Sequence, residues 1–169
     1  MVACEYSGRV RDAFIAKGHD AISCDLLPTD TPGPHYQGSV IDVLHDGWDL
    51  MIAHPPCTYL TNSGVRWLHT DESRWSKLDE ACELFNRLLN ADIPRICVEN
   101  PIPHKYAVER IGGRKYTQII QPWQFGHGET KATCLWLKGL SKLTPTDIVD
   151  GREQRMWKLP PSEDRWKIR

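Results

Sequence analysis

Short apolar runs alternate with helical patterns along the first hundred residues of the chain. The apolar runs that predict strands lie at residues 2–5, 20–26, 48–53 and 95–98. One helix is predicted over residues 9–17, with Ser7 placed to cap its start, and a longer one over residues 73–91. The longer helix has an apolar stripe made of Leu78, Cys82, Phe85 and Leu89. Strands that alternate with helices predict an α/β fold built on a mostly parallel sheet.

The pattern changes after residue 100. Two strand-like runs, 116–122 and 133–137, have no helical pattern between them, which predicts an antiparallel hairpin at one edge of the sheet. Residues 40–44 form a short third element of unassigned type. The segments that predict long loops are residues 27–38 and 58–71. The second loop could close over a ligand.

The organisation expected from this pattern is one domain with a tail. The domain covers residues 1–140, and residues 141–169 contain few apolar side chains and several prolines, which predicts an irregular basic tail. The abrupt ends of the sequence suggest either a truncated form or a natural minimal form. We expect a monomer.

The composition is that of a soluble globular protein. The 169 residues have a mass of 19.4 kDa and a net charge of -1, with 40% hydrophobic and 25% charged residues. No apolar run approaches the roughly 20 residues of a membrane span, and no signal peptide opens the chain. We therefore expect a cytoplasmic protein with no membrane contact.

A near-neutral charge limits how the chain could hold nucleic acid, because extended duplex contacts usually need a basic face. Any such contact is expected to be local. Two basic stretches are candidates, at residues 110–115 and 152–169, and the second interleaves Trp157 and Trp166 with lysines and arginines. A solvated basic tail explains the second stretch equally well.

The six cysteines lie far apart, without the paired spacing of a zinc ribbon or a redox motif. Five of them fall in apolar strand-like runs or on the apolar side of the long helix, where free cysteine packs as a small hydrophobic residue. Cys57 differs, because it stands in a Pro-Pro-Cys-Thr loop after a predicted strand. We expect no disulfides and no metal site.

Residues with useful chemistry follow the predicted strands. Ligands of open α/β sheets bind beyond the carboxyl ends of the strands. The residues found there are Tyr6-Ser7-Gly8, Asp25, Ser39-Val40, His54-Pro55-Pro56-Cys57 and Glu99-Asn100-Pro101. Asp25 stands where nucleoside-binding domains place a carboxylate for the ribose hydroxyls. The glycine fingerprints of dinucleotide and triphosphate sites are absent, so a flavin or nicotinamide enzyme is not expected.

These motifs resemble those of the DNA cytosine-5 methyltransferases, and more closely the short methyltransferase-like proteins of phages and prophages that lack a target-recognition domain. The motifs that carry the resemblance are Tyr6-Ser7-Gly8, Pro55-Pro56-Cys57, Glu99-Asn100-Pro101 and the segment from Gln124-Phe125-Gly126 to Lys131. They occur in the family's order over residues 2–140. The resemblance implies a Rossmann-like class I methyltransferase fold, S-adenosylmethionine as the cofactor and DNA as the substrate.

The resemblance also implies a cofactor site. Its residues would be Tyr6, Ser7, Gly8, Asp25, Leu26, Ser39, Val40 and Pro55. The ring of Tyr6 would lie near the adenine, and Asp25 would bind the ribose. The family normally supplies a carboxylate for the adenine amino group from Gly-Asp-Ile or Gly-Asp-Val, and this chain has Gly38-Ser39-Val40 there. Either Ser39 or the nearby Asp42 would then accept that hydrogen bond.

The catalytic residues that the resemblance implies are Cys57, Glu99, Asn100 and Lys131. Cytosine C5 is a poor nucleophile, so the family first adds a cysteine thiolate to C6, and Cys57 would be that nucleophile. Glu99 would hold the base through N3 and the exocyclic amine, and Asn100 would position it. Lys131 stands where the family usually has Gln-x-Arg-x-Arg, and it would contact the base or its phosphate.

Alternatives remain open at this point. Amino methyltransferases use Asp/Asn-Pro-Pro-Tyr/Phe, and His54 and Cys57 at those places favour the cytosine-5 chemistry. His54 is expected to satisfy loop hydrogen bonds, and Trp67 is a candidate to stack on a base. Because no recognition domain fits after the last strand, specificity would be low or come from a partner protein, or the substrate would be single-stranded or small. The second candidate function is a catalytically weak or inactive module that binds cofactor or nucleic acid.

Overall fold

Seven strands form one sheet in the computed structural model, which describes residues 1–153. In chain order they are β1 (Val2–Ala3), β2 (Ser23–Asp25), β3 (His35–Gln37), β4 (Leu50–Ala53), β5 (Arg95–Pro101), β6 (Gln118–Ile120) and β7 (Thr133–Lys138). Their order across the sheet is β3-β2-β1-β4-β5-β7-β6. The first five strands are parallel to one another, whereas β7 runs antiparallel to both β5 and β6. The predicted α/β fold with an antiparallel hairpin at one edge is confirmed.

Five α-helices accompany the sheet within the described part of the chain. They are α1 (Arg9–Ile15), α2 (Val40–Val43), α3 (Asn62–Val65), α4 (Ser73–Leu89) and α5 (Lys105–Arg110), with 3-10 turns at Arg66–His69 and Pro122–Gln124. Helix α4 is the predicted amphipathic helix, although Leu88 replaces Leu89 in its buried stripe. Its Phe85 ring meets the Trp136 ring of β7 edge to face, with centroids 5.0 Å apart. This aromatic contact packs α4 against β7 of the sheet.

The core lies between α4 and the central strands. Met51 and Ala53 of β4 and Ile96 and Val98 of β5 are completely buried, as is Leu78 of α4. Central parallel strands are covered on both faces and therefore consist mostly of apolar residues, which explains why β4 and β5 were predictable. The rigid pairing of these two strands fixes the positions of the residues that follow them.

Two predictions about loops are wrong. Residues 27–38 contain β3, a polar edge strand whose neighbouring prolines and glycines are typical of loops. Residues 58–71 contain α3 and a 3-10 turn, each only four residues long and too short for a helical repeat to show. No element was predicted for the six-residue helix α5 after Pro103. Short elements like these depend on tertiary contacts more than on local pattern.

The chain after β7 returns along the segment 124–130. Single bridges join Phe125 to Asp147 and Glu129 to Glu153, and the Arg152 guanidinium lies 3.7 Å from the centre of the Trp123 ring. The rest of the predicted basic tail, residues 154–169, lies outside the described residues.

Neither a membrane helix nor a metal cluster is found in residues 1–153. Every helix there is too short or too polar to cross a bilayer. No group of three or more His, Cys, Asp or Glu side chains in this range is arranged to hold a metal ion.

Candidate active site

A buried carboxylate holds the turn that follows β1. Glu5 is 6% exposed and accepts hydrogen bonds from the backbone N–H groups of Val10 at 2.7 Å and Arg11 at 3.3 Å. It also accepts one from the Ser7 hydroxyl at 3.1 Å. The N-cap residue of α1 is Gly8, not Ser7 as predicted. Glu5 therefore satisfies amide groups at the start of α1 and lies at the positive end of the helix dipole.

Replacing Glu5 with alanine is expected to lower the free energy of unfolding by about 2 kcal/mol, because two amides at the start of α1 lose their acceptor. Urea titration followed by tryptophan fluorescence measures this change. The control is Glu83→Ala on the exposed face of α4, with an expected change below about 0.5 kcal/mol. Equal effects of the two substitutions would contradict the role given to Glu5.

A fully buried arginine organises the loop between β2 and β3. The Arg11 guanidinium donates hydrogen bonds to the Ser23 hydroxyl at 3.1 Å and to the Thr31 hydroxyl and carbonyl at 2.9 and 3.1 Å. Its Nε forms an ion pair with Asp12 at 2.8 Å, and its side chain is 0% exposed. No sequence pattern predicts this role, because an arginine in a short amphipathic helix is expected on its solvated face.

The loop held by Arg11 packs directly on the turn after β1. The Asp30 N–H donates to the Tyr6 carbonyl at 2.9 Å, and the Thr31 hydroxyl donates to the Ser7 carbonyl at 3.1 Å. Gly8 has φ 74°, and a Cβ at this position would overlap the Thr31 hydroxyl and the buried guanidinium. Glycine is therefore required here by backbone conformation and by space. Residues 27–34 therefore support the turn from Tyr6 to Gly8, which is predicted to bind the cofactor.

Two acidic side chains lie at the β2 and β3 end of the sheet. One carboxylate oxygen of Asp25 accepts from the Leu27 N–H at 3.0 Å, and within residues 1–153 the other accepts no hydrogen bond. Asp42 accepts a hydrogen bond from the Tyr36 hydroxyl at 3.3 Å through one oxygen only. The Ser39 hydroxyl oxygen caps α2 by accepting from the Ile41 N–H at 3.3 Å. Of the two candidates for the adenine acceptor, Asp42 thus has more remaining acceptor capacity than Ser39.

The residues present fit the adenosyl part of S-adenosylmethionine. The free carboxylate oxygen of Asp25 suits the donor hydroxyls of a ribose, and it lies at the end of β2, next to the turn after β1. Leu26 beside it is 73% exposed and offers an apolar surface. Val40, in contrast, is 6% exposed and packs in the core.

The loop that carries Cys57 is fastened to the neighbouring strand. The side-chain amide of Asn100 donates to the Pro55 carbonyl at 3.2 Å, and Asn100 is 1% exposed. The Cys57 carbonyl accepts from the Leu60 and Thr61 N–H groups at 3.0 and 3.2 Å, which closes a turn directly after the thiol. Asn100 therefore positions the Pro-Pro-Cys loop in this structure.

The six cysteines are all free, and five of them are poorly placed for reaction. Burial raises the pKa of Cys4 to about 12 and those of four others to about 11, so these groups stay protonated at neutral pH. The four are Cys24, Cys82, Cys97 and Cys134. Cys57, in contrast, lines an open cavity of about 490 Å³. Among the six cysteines, Cys57 is the one that lines this cavity.

Glu99 faces the residue that follows β4. It lies within β5 rather than after it as predicted, and its Oε2 is 3.3 Å from Nδ1 of His54. The strand register explains the contact, since Ala53 pairs with Val98 and the next residues along both strands are His54 and Glu99. His54 thus contacts the candidate acid, a partner that sequence reasoning did not assign to it.

Lys131 lies at the same edge of the sheet as Glu99. It precedes β7 by two residues, and Thr133 of β7 pairs with Pro101 at the carboxyl end of β5. The Lys131 carbonyl accepts a hydrogen bond from the Thr133 hydroxyl at 3.2 Å. The register therefore places a lysine next to the end of the strand that carries Glu99 and Asn100.

A buried histidine ties α5 to the Cys57 loop, and sequence reasoning missed it. His104 caps α5, because its Nδ1 accepts from the Ala107 N–H at 3.1 Å. Its Nε2 lies 2.8 Å from the Tyr59 carbonyl. These two contacts require the neutral ring with the proton on Nε2. Burial lowers the pKa of His104 from its usual value, which keeps the ring neutral.

Acidification is expected to destabilise the protein through His104. A histidine whose pKa is lowered by folding contributes stability above its unfolded pKa of about 6.5 and loses that contribution as the pH falls through its folded pKa. Unfolding free energies of the wild type and His104→Asn, measured from pH 7.5 to 5, isolate this residue. The wild type should lose more stability than the variant, and parallel pH profiles would contradict the assignment.

Comparisons with known proteins identify the fold. No family model and no curated protein matches the chain. Among solved structures, it is similar to a protein assigned as a DNA modification methyltransferase, encoded within a prophage of E. coli. The two share 15% sequence identity over 95% of this chain, with a TM-score of 0.52. This chain has a methyltransferase fold.

The methyltransferase fold accounts for the position of the site. The chain spans 55% of the length of the prophage structure, and at this identity the likeness extends to the fold alone. Within that fold, the turn after β1, the end of β2 and the loops after β4 and β5 lie along one edge of the sheet, where open α/β sheets bind ligands. Apart from Val40, which packs in the core, the predicted site residues lie at this edge, at the start of α2 after β3, or in the loop before β7.

Proposed function

We propose that this protein is an S-adenosylmethionine-dependent methyltransferase that acts on C5 of cytosine in DNA. The observation that carries the proposal is the meeting of the Cys57 loop with the Glu99 strand, fastened by the hydrogen bond from Asn100 to the Pro55 carbonyl. The candidate nucleophile, in the loop after β4, and the candidate base-binding acid, in β5, belong to neighbouring parts of the sheet, which supports the proposal. The assignment of the prophage structure as a DNA modification methyltransferase supports the same reaction class and substrate.

The chain's own residues would prepare the base for alkylation. The Cys57 thiolate would form a bond to cytosine C6, and the electron pair of the C5–C6 double bond would then make C5 nucleophilic. Glu99 would bind N3 and the exocyclic amine and stabilise the charge that develops on the ring. After methylation, loss of the C5 proton to a base and departure of Cys57 would restore the aromatic ring.

The cofactor would be held next to the Cys57 loop, at the ends of β1, β2 and β3. S-adenosylmethionine would supply an electrophilic methyl group when bound. The Tyr6 to Gly8 turn would lie along it, Asp25 would accept hydrogen bonds from its ribose, and either Ser39 or Asp42 would accept one from its adenine. Pro55 would close the cofactor site next to the Cys57 loop.

One observation favours the second candidate function, a non-catalytic module. The Ser39 hydroxyl, which replaces the family's adenine-binding carboxylate, is already used to cap α2. Weak cofactor binding would follow if Asp42 does not take over that contact. A module of this kind would bind cofactor or nucleic acid without methyl transfer.

Mass spectrometry of nucleosides tests the proposal. The purified protein is incubated with S-adenosylmethionine carrying a deuterated methyl group and with single- or double-stranded DNA, and the DNA is then digested to nucleosides. Labelled 5-methyldeoxycytidine is the expected product. Label on cytosine N4 or adenine N6 would instead show an amino methyltransferase. Absence of label, with S-adenosylhomocysteine binding intact by calorimetry, would favour the non-catalytic module.

A further inference from the structure

The cavity next to Cys57 has the size and lining of a nucleotide site. Its volume of about 490 Å³ lies within the range of roughly 300–1,000 Å³ that is usual for small-ligand sites. Its lining combines the thiol with hydroxyls, an aromatic ring and both charges: Cys57, Thr58, Thr61, Ser63, Gly64, Trp67, Asp71 and Arg74. Helix α3 approaches the Cys57 loop so closely that a Cβ on Gly64 would lie 2.5 Å from the Thr58 carbonyl oxygen. The cavity is thus shaped by the packing of α3 on this loop.

Arg74 brings an uncommitted cation into the cavity. Its guanidinium lies 4.8 Å from the centre of the Tyr59 ring. Its Nε is buried and has no hydrogen-bond partner within the described part of the chain, and no ion pair of Arg74 occurs there. An arginine held by an aromatic ring with free donors is suited to bidentate binding of a phosphate.

The acid that shares the cavity with Arg74 forms its hydrogen bonds with the first residue of α4. Asp71 Oδ1 accepts from the Ser73 hydroxyl at 2.6 Å and from the Ser73 N–H at 3.0 Å. These hydrogen bonds lower the pKa of Asp71, with smaller contributions from Arg74 and Lys77. Within residues 1–153 no ion pair joins Asp71 to Arg74, so the guanidinium is available to an external anion.

Trp67 offers a stacking surface at the rim of the same cavity. It is 46% exposed, whereas the adjacent Leu68 is 2% exposed and anchors the 3-10 turn in the core. Because Leu68 is anchored in the core, the 3-10 turn leaves the Trp67 side chain exposed. The Arg66 guanidinium lies 4.5 Å from the centre of the Trp67 ring, which adds a second cation beside this surface. An exposed indole flanked by arginine is the arrangement on which unpaired nucleobases stack.

We infer that this cavity binds single-stranded DNA, with Arg74 holding the phosphate of the nucleotide presented to Cys57 and Trp67 stacking on a neighbouring base. The inference rests on the proposed function, of which it specifies the substrate. Stacking on Trp67 requires a base that is free of its duplex neighbours. The few cations around the cavity and the net charge of -1 also suit a short, local contact better than an extended duplex footprint.

Fluorescence anisotropy with a labelled single-stranded deoxycytidine oligonucleotide tests the inference. Trp67→Ala is expected to raise the Kd by about 5- to 150-fold, because stacking on one base is lost. Trp67→Phe keeps a ring and should stay within about threefold of the wild type. Arg74→Gln should raise the Kd and lower the salt dependence of binding by about 0.7 in the log–log slope, the value for one phosphate on a single strand.

A matched control lies on the same helix. Arg87→Gln removes a charge from the exposed side of α4, where Arg87 pairs with Glu83, and it should leave the Kd unchanged. Unchanged affinity in both Trp67→Ala and Arg74→Gln, with thermal midpoints equal to the wild type, would overturn the inference. Tighter binding of duplex DNA or of single-stranded RNA than of the single-stranded DNA oligonucleotide would also overturn it. The same holds if dCMP displaces the oligonucleotide at a concentration comparable to that of the oligonucleotide itself.

The binding assay separates this inference from the proposed function. It contains no S-adenosylmethionine, so it measures binding of the oligonucleotide without methyl transfer. Binding that persists while no labelled nucleoside forms would refute the methyltransferase proposal and keep the single-strand site. Methyl transfer to duplex DNA with unaltered activity in Trp67→Ala would refute the single-strand site and keep the methyltransferase.

Discussion

Replacing Cys57 with alanine is expected to abolish transfer of a labelled methyl group to cytosine, with a loss of at least about a thousandfold in rate. Without the thiolate, C6 has no nucleophile and C5 stays too electron-poor to be alkylated. The assay is the nucleoside mass spectrometry described above. Cys82→Ala is the matched control, because Cys82 is buried on α4 and its raised pKa of about 11 keeps it a thiol.

A covalent trap adds a direct test of the same residue. An oligonucleotide that contains 5-fluorocytosine has no C5 proton to lose after methylation, so the bond between Cys57 and C6 should persist. Intact-mass spectrometry should then detect a complex of the protein with the oligonucleotide in the wild type and in Cys82→Ala, but not in Cys57→Ala. Full methyl transfer by Cys57→Ala, or an adduct on another cysteine, would rule out Cys57 as the nucleophile.

The elements that could be predicted are those whose burial leaves an apolar pattern within a single stretch of the sequence. The apolar runs of β4 and β5 and the stripe of α4 are direct consequences of burial, and their strand-helix alternation predicts the sheet. Cys57 and Glu99 were accessible to the same reasoning, because they stand where these runs end. By contrast, β3 is a polar edge strand, and its pairing with β2 depends on a loop that the sequence pattern does not reveal.

The parts that could not be predicted include three buried polar side chains. Glu5, Arg11 and His104 are buried, and single-sequence reasoning assigns such residues to solvent by default. The partners of Arg11 and His104 lie up to 23 and 45 residues away, whereas those of the Glu5 carboxylate lie within six residues, in a turn without a helical or strand pattern. Each of them shapes the candidate site indirectly. Glu5 and Arg11 support the turn after β1, and His104 fastens the Cys57 loop.

Replacing Arg11 with methionine is expected to lower the free energy of unfolding by about 3 kcal/mol, because a completely buried hydrogen-bond network is broken. The hydroxyls of Ser23 and Thr31 would lose their partner in the fold. Methionine keeps most of the side-chain volume, so the loss reports on polar contacts more than on a cavity. Urea unfolding measures it, and Arg9→Met is the control on the exposed face of the same helix.

The same substitution is expected to weaken cofactor binding even where the variant is fully folded. Arg11 holds residues 27–34 against the turn after β1 through the Thr31 contact to the Ser7 carbonyl. If that support is lost, the Tyr6 to Gly8 turn samples other conformations. Loss of one hydrogen bond worth about 1 kcal/mol lowers the affinity roughly fivefold. Calorimetry with S-adenosylhomocysteine well below the variant's thermal midpoint should show at least that change. A variant that is as stable as Arg9→Met, or that binds the ligand with wild-type affinity, would show that the buried guanidinium does not support the site.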